Sequence, residues 1–126
     1  MKLRIRANTL RLRLSRGEVN ELAERGEVRE AIAFGPAVAE RLGYAIVTSE
    51  EATGTSARLT GGSVEVLVPR ALAREWAASE TVGFETEQAI GEGLSLHILV
   101  EKDFACLTPR KGEDDTDAFP NPHETC

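Results

Sequence analysis

Residues 2–14 alternate polar and apolar side chains with a period of two. Lys2, Arg4 and Arg6 fall on one side of an extended chain, and Leu3 and Ile5 fall on the other. That is the pattern of a half-buried strand. From Leu10 the alternation resumes with Leu12 and Leu14 apolar, so the apolar positions have moved from odd to even numbers. A strand cannot change parity without an inserted residue, which places a bulge or a tight turn at Ala7-Asn8-Thr9. Asn8 suits that place, because asparagine tolerates positive φ better than most residues.

The period then changes. Ser15-Arg16-Gly17-Glu18 has the form of a capping box, with Val19, Leu22 and Ala23 at helical spacing and Gly26 as a left-handed stop. This predicts a helix over 16–25. A strand over 28–34 and a turn at Gly35-Pro36 follow; residues 37–41 are ambiguous, and 44–49 reads as another strand. Residues 55–60 and 63–68 form a hairpin across Gly61-Gly62, the composition a primed two-residue turn favours. Pro69 opens a second helix, PRALAREWAA, whose apolar stripe is Leu72, Ala73 and Trp76. Two final strands, 81–89 and 94–101, flank Gly91-Glu92-Gly93, with Val82, Phe84, Leu94, Leu96, Ile98 and Val100 facing inward.

Short turns between successive strands imply antiparallel pairing. The expected fold is α+β: a mainly antiparallel, strongly curved or partly closed sheet of six to eight strands, with two short helices packed against it. No internal repeat is visible. The expected organisation is one globular domain over 1–107 and an acidic, proline-containing tail over 108–126.

Composition adds limits. A length of 126 residues suits one domain with its own core. The net charge of −6 argues against nonspecific nucleic-acid binding as the main role. The basic start alternates charge with leucine and lacks the continuous apolar run of a secretory signal, and no stretch has the length of a membrane span. A cytoplasmic location is expected, and there the two cysteines are free thiols sooner than a bridge.

Three sets of residues carry candidate chemistry. Cys106, His123 and Cys126 are competent ligands for a transition metal such as zinc, and His123-x-x-Cys126 has ligand-pair spacing. The fourth ligand is missing, since His97 and Cys106 do not form a second pair; a dimer would complete the set with two chains. A Cys106–Cys126 disulfide is disfavoured by compartment. A Cys106–His97 nucleophilic pair has no motif to support it.

The third set is basic. Lys2, Arg4, Arg6, Arg11 and Arg13 project from the polar sides of two adjacent strand segments: one long stripe if 7–9 is a bulge, a compact patch if it is a hairpin. Few aromatic residues lie near to stack on bases, so RNA or DNA is the less favoured partner. The competing explanation is that strand arginines keep a sheet soluble and pair with neighbours such as Glu65, Glu85 and Glu87. Glu113-Asp114-Asp115 with Asp117 supplies acidic charge that matches the ladder.

The segments KLRIRANTLRLRLSRGEVNELAERGEV, VPRALAREWA, ETVGFE and ILVEKDFACL, followed by an acidic stretch and PNP, resemble an uncharacterised bacterial family. It is a domain of unknown function found as short stand-alone proteins, and the resemblance spans nearly the whole chain. It implies a self-contained cytoplasmic domain and brings no catalytic residue or cofactor. The favoured reading is a noncatalytic binding module whose arginine-lined strand face takes an acidic protein segment, an anionic ligand or its own tail. A metal-binding protein using Cys106, His123 and Cys126 across a homo-oligomer is the alternative, and a small enzyme of unknown class the third.

Overall fold

Ser15 and Gly26 bound the first helix in the computed structural model, which describes residues 1–104. The Ser15 hydroxyl accepts from the Glu18 amide at 3.3 Å, and the Glu18 carboxylate accepts from the Ser15 amide at 2.9 Å. Gly26 ends α1 (Arg16–Arg25) at φ 87°, a conformation cheap only for glycine. Before α1 come β1 (Lys2–Arg6) and β2 (Thr9–Leu14), joined by a two-residue turn at Ala7-Asn8. Ala7, not Asn8, takes the positive φ, 47°.

After α1 run β3 (Glu27–Ala33) and β4 (Arg41–Ser49), separated by a loop with a single 3-10 turn at Val38–Glu40. The Gly61-Gly62 hairpin joins β5 (Ser56–Thr60) to β6 (Ser63–Pro69). Pro69 ends β6 and stands at the N-cap of α2 (Arg70–Ala78), one position earlier than its sequence reading. The last hairpin is β7 (Gly83–Gly91) and β8 (Leu94–Lys102).

The four hairpins assemble into two four-stranded sheets, ordered β1-β2-β8-β7 and β3-β4-β6-β5. Each hairpin is antiparallel, as expected, but the hairpins join through parallel pairs, β2 with β8 and β4 with β6. The α+β class holds. The single, mainly antiparallel, partly closed sheet does not: there are two mixed sheets, not closed into a barrel. The reason is physical. Short turns reveal pairing between consecutive strands, whereas the parallel pairs join strands that are not consecutive, β4 with β6 across β5 and β2 with β8 across most of the described chain, and leave no local mark.

A second correction concerns repetition. β1-β2-α1-β3-β4 and β5-β6-α2-β7-β8 are the same unit twice. In the parallel pairs Leu10 faces Ile98 and Val64 faces Tyr44, so one step of 54 positions carries Leu10 to Val64 and Tyr44 to Ile98. Connecting hydrogen bonds repeat too. His97 donates to the Asn8 carbonyl at 3.0 Å, and Gly43 donates to that of Gly62 at 3.0 Å. Thr48 donates to Gly26 at 2.8 Å, and Lys102 to Val82 at 2.9 Å. Burial is kept while identity is not: Leu12, Leu14 and Leu22 correspond to Val66, Val68 and Trp76, all buried. Any apolar shape that fills the space satisfies the fold, so the repeat left no readable sequence similarity.

Both sheets and both helices share one core, centred on Leu12, Leu14, Leu22, Ile46, Val66, Val68, Trp76, Ile98 and Val100. Trp76 anchors α2, as its stripe predicts. Its ring meets the edge of Phe84 at 5.3 Å between centroids, and its Nε1 donates to the Val82 carbonyl at 3.2 Å. Val82 and Leu94 are not core residues; they are 53% and 58% exposed. Alternation assigns a side chain to a face but not to a depth. The helices follow the ends of β2 and β6 and pack on each other there, so the hairpin-turn end of each sheet is uncovered.

The two sheets meet at their edges through side chains. Between β5 and β7 the Gln88 amide stands in for a strand residue. Its Oε1 accepts from the Ala57 amide at 2.7 Å and its Nε2 donates to the Ala57 carbonyl at 3.1 Å. Between β1 and β3 the Met1 ammonium lies against Glu18 and donates to Glu30 at 2.8 Å, and the Tyr44 hydroxyl donates to the same Glu30 carboxylate at 2.9 Å. Removing the amide in Gln88→Ala strands the polar backbone of the buried Ala57, and a loss of about 1–3 kcal/mol is expected. Urea denaturation with an unchanged m-value checks it.

Candidate functional site

The turn at Ala7-Asn8 settles the arrangement of the basic ladder. β1 and β2 fold back on each other, with Lys2 opposite Arg13 and Arg4 opposite Arg11, so all five basic residues share the outer face of the first sheet as a compact patch. β8 lies beyond β2 and places Glu101 beside Arg13, Leu99 beside Arg11 and His97 beside Thr9. β7 then sets Glu85 opposite Leu99 and Glu87 opposite His97. This face therefore runs from basic to acidic across its four strands.

The acidic side neutralises only part of the ladder. One oxygen of Glu101 accepts from Arg11 Nε at 2.6 Å and from Arg13 Nε at 2.9 Å. Lys2 pairs with Asp103 at 2.8 Å. Glu85 and Glu87, expected to absorb arginine charge, lie instead beside His97, whose Nε2 is 2.9 Å from Glu85 and whose Nδ1 is 3.8 Å from Glu87. Partial burial would raise the Glu101 carboxyl, but the hydrogen bonds and charges of Arg13 and Arg11 outweigh it and hold the group below its ordinary value of 4.5. Arg4 and Arg6 are exposed and have no hydrogen-bond or ion-pair partner among the described residues. With Arg11 they rim an open depression of about 370 Å³ that Ala7, Thr9 and Leu99 complete.

The internal repeat supplies a comparison within the molecule. Carried forward by 54 positions, Arg4 becomes Arg58 and Arg11 becomes Glu65. On the second sheet Glu65 accepts from Arg58 at 3.1 Å and from Arg29 at 2.9 Å, so these two outer-face arginines are paired. On the first sheet an arginine occupies the carboxylate's place. The same backbone position holds a paired arginine, Arg58, in one half and in the other Arg4, which has no partner among the described residues.

Glu101 was not singled out beside the ladder, although the parity of β8 placed it on the outer face. Leu99 carried no signal at all. Cys106, His123, Cys126 and the acidic stretch of 113–117 lie outside the described residues. Those described contain no group of three or more His, Cys, Asp or Glu side chains placed to hold a metal ion. No helix is long and apolar enough to cross a membrane.

Two outcomes follow from this geometry. The folded-state pKa of Glu101 is depressed, so its contribution to stability is full above the unfolded value and is lost as pH falls through the folded one. Glu101→Gln should therefore flatten the acid limb of stability below pH 4.5, read from urea midpoints at successive pH values. Ala7 holds a left-handed conformation that costs a non-glycine residue about 1–2 kcal/mol. Ala7→Gly should thus raise stability by about 0.5–1 kcal/mol after glycine's larger entropy loss, measured as a higher midpoint.

No curated protein and no solved structure matches this chain. A family model described as a family of unknown function, DUF7009, matches residues 1–123. The resemblance read from the N-terminal block and the EKDF segment thus meets a match over almost the whole length, and the chain belongs to that family of unknown function.

Proposed function

We propose that this protein is a noncatalytic binding module whose arginine-lined outer face takes an anionic group, such as a carboxylate of an acidic protein segment. One observation carries the reading: Arg4 and Arg6 have no partner among the described residues and stand beside Arg11 at an open depression, while Arg58, the counterpart of Arg4 in the second repeat, is neutralised by Glu65. Arginine forks suit this task, since a guanidinium meets a carboxylate or phosphate with two parallel hydrogen bonds. Leu99 adds an apolar wall against which the stem of a bound side chain can rest. Lys2 and Arg13 extend the positive field without being free to bind. The acidic stretch at 113–117 of this same chain has the matching chemistry.

Titration of the full-length protein with polyglutamate, followed by calorimetry at low and high salt, tests the reading. Binding weakened by salt is expected, and Arg4→Ala with Arg6→Ala should reduce it tenfold or more. Arg58→Ala, at the paired position of the other repeat, should leave it unchanged. Neutralising Glu113, Asp114, Asp115 and Asp117 together should tighten binding if the chain's own acids compete for the face. Equal losses from the Arg4/Arg6 and Arg58 variants would sink the proposal.

A further inference from the structure

The free arginines sit on a strand whose own backbone is open. β1 is an edge of its sheet. In an antiparallel hairpin closed by a two-residue turn, the flanking pair Arg6–Thr9 is hydrogen-bonded, and alternation repeats this at Arg4 and Lys2. The amide and carbonyl groups of Leu3 and Ile5 therefore point away from β2, to the side where no strand pairs with β1 among the described residues.

The repeat again provides the control. Ala57 is the counterpart of Leu3 in β5, and its outward N–H and C=O are the groups that the Gln88 side chain satisfies at 2.7 and 3.1 Å. In β3 the position corresponding to Gln88 is Ile32, reached by a step of 56 positions, which takes Val28 of β3 to Phe84 of β7. Isoleucine has no polar side-chain group to offer, so the edge that glutamine caps in one half has no such cap among the described residues of the other. Ile5, on the inner face of β1, is a large apolar side chain left 61% exposed by the described residues.

We propose that β1 is a docking edge that takes an extended acidic peptide as an added strand. Main-chain hydrogen bonds form to Leu3 and Ile5, carboxylates lie beside Arg4 and Arg6, and an intervening apolar residue covers Ile5. This rests on the anion-binding reading of the same arginines and goes beyond it. Charge and spacing select this occupant. Arg4 and Arg6 repeat at roughly 6.6 Å along the strand, which is the spacing of alternate side chains in an incoming strand, so one carboxylate meets each arginine. A strand that places acids on the outer face must present its other residues to the inner face, where Ile5 is exposed. The peptide therefore alternates acidic with apolar residues. The positive edge that discourages self-pairing of two copies is the feature that favours this partner.

Two probes separate strand addition from simple charge attraction. One is an acetylated, amidated peptide Val-Glu-Val-Glu-Val-Glu; the other is the same peptide N-methylated at alternate residues, on the edge that would meet β1. Both carry the same charges. With the full-length protein, the unmodified peptide is expected to bind at least tenfold more tightly. It should also slow hydrogen exchange at the Leu3 and Ile5 amides, measured by NMR. Ile5→Thr, which keeps a β-branched edge residue, should weaken the peptide severalfold and leave polyglutamate binding intact. Equal affinity of the two peptides with polyglutamate still bound would overturn strand addition while leaving the anion site standing. Failure of all three ligands to bind would overturn both.

Discussion

Everything in this fold depends on two parallel strand pairs, β2 with β8 and β4 with β6. Each joins a hairpin of one repeat to a hairpin of the other, across 88 positions where Thr9 of β2 meets His97 of β8 and across 20 where Gly43 of β4 meets Ser63 of β6. Loop closure over such separations costs entropy that only the shared core repays. Leu12 and Val100 meet across the first pair, and Ile46 and Val66 across the second, all of them buried. The helices then close one end of both sheets from the strand termini the parallel pairs align.

That exchange of hairpins explains why one sheet face is divided between charge types. β1 and β2 bring arginines from the first repeat, while β7 and β8 bring glutamates from the second. Each hairpin alone would be a uniformly charged surface. Placed side by side, they neutralise at their junction, where Glu101 holds Arg11 and Arg13, and remain cationic at the outer edge. The free arginines are those farthest from the junction. Position in the sheet, not residue type, separates a structural arginine from an available one.

The repeat also turns an argument from appearance into one from comparison. An exposed arginine alone says little, since strand surfaces commonly carry them. Here the same backbone position occurs twice. Glu65 pairs Arg58 where Arg11 cannot pair Arg4, and Gln88 caps Ala57 where Ile32 cannot cap Leu3. Pairing and capping are therefore attainable in this framework, and among the described residues Arg11 and Ile32 do not supply them to Arg4 and Leu3.

Local order was legible in the sequence because local forces set it. The capping box at Ser15, the stop at Gly26, the Gly61-Gly62 turn and the alternation of β1 and β2 each act within a few residues. The five basic positions were visible for the same reason. What the tertiary structure alone decided was partnership. The parity break at Ala7-Asn8 fitted a bulge or a turn equally, and pairing made it a turn. Val82 and Leu94 had inward parity but stay exposed, Val82 just before β7 begins and Leu94 at the hairpin-turn end away from the helices. Glu101, rather than Glu85 or Glu87, received the arginines because β8 docks directly beside β2. The duplication stayed hidden because burial constrains volume and not identity, so Leu22 and Trp76 perform one role without resembling each other.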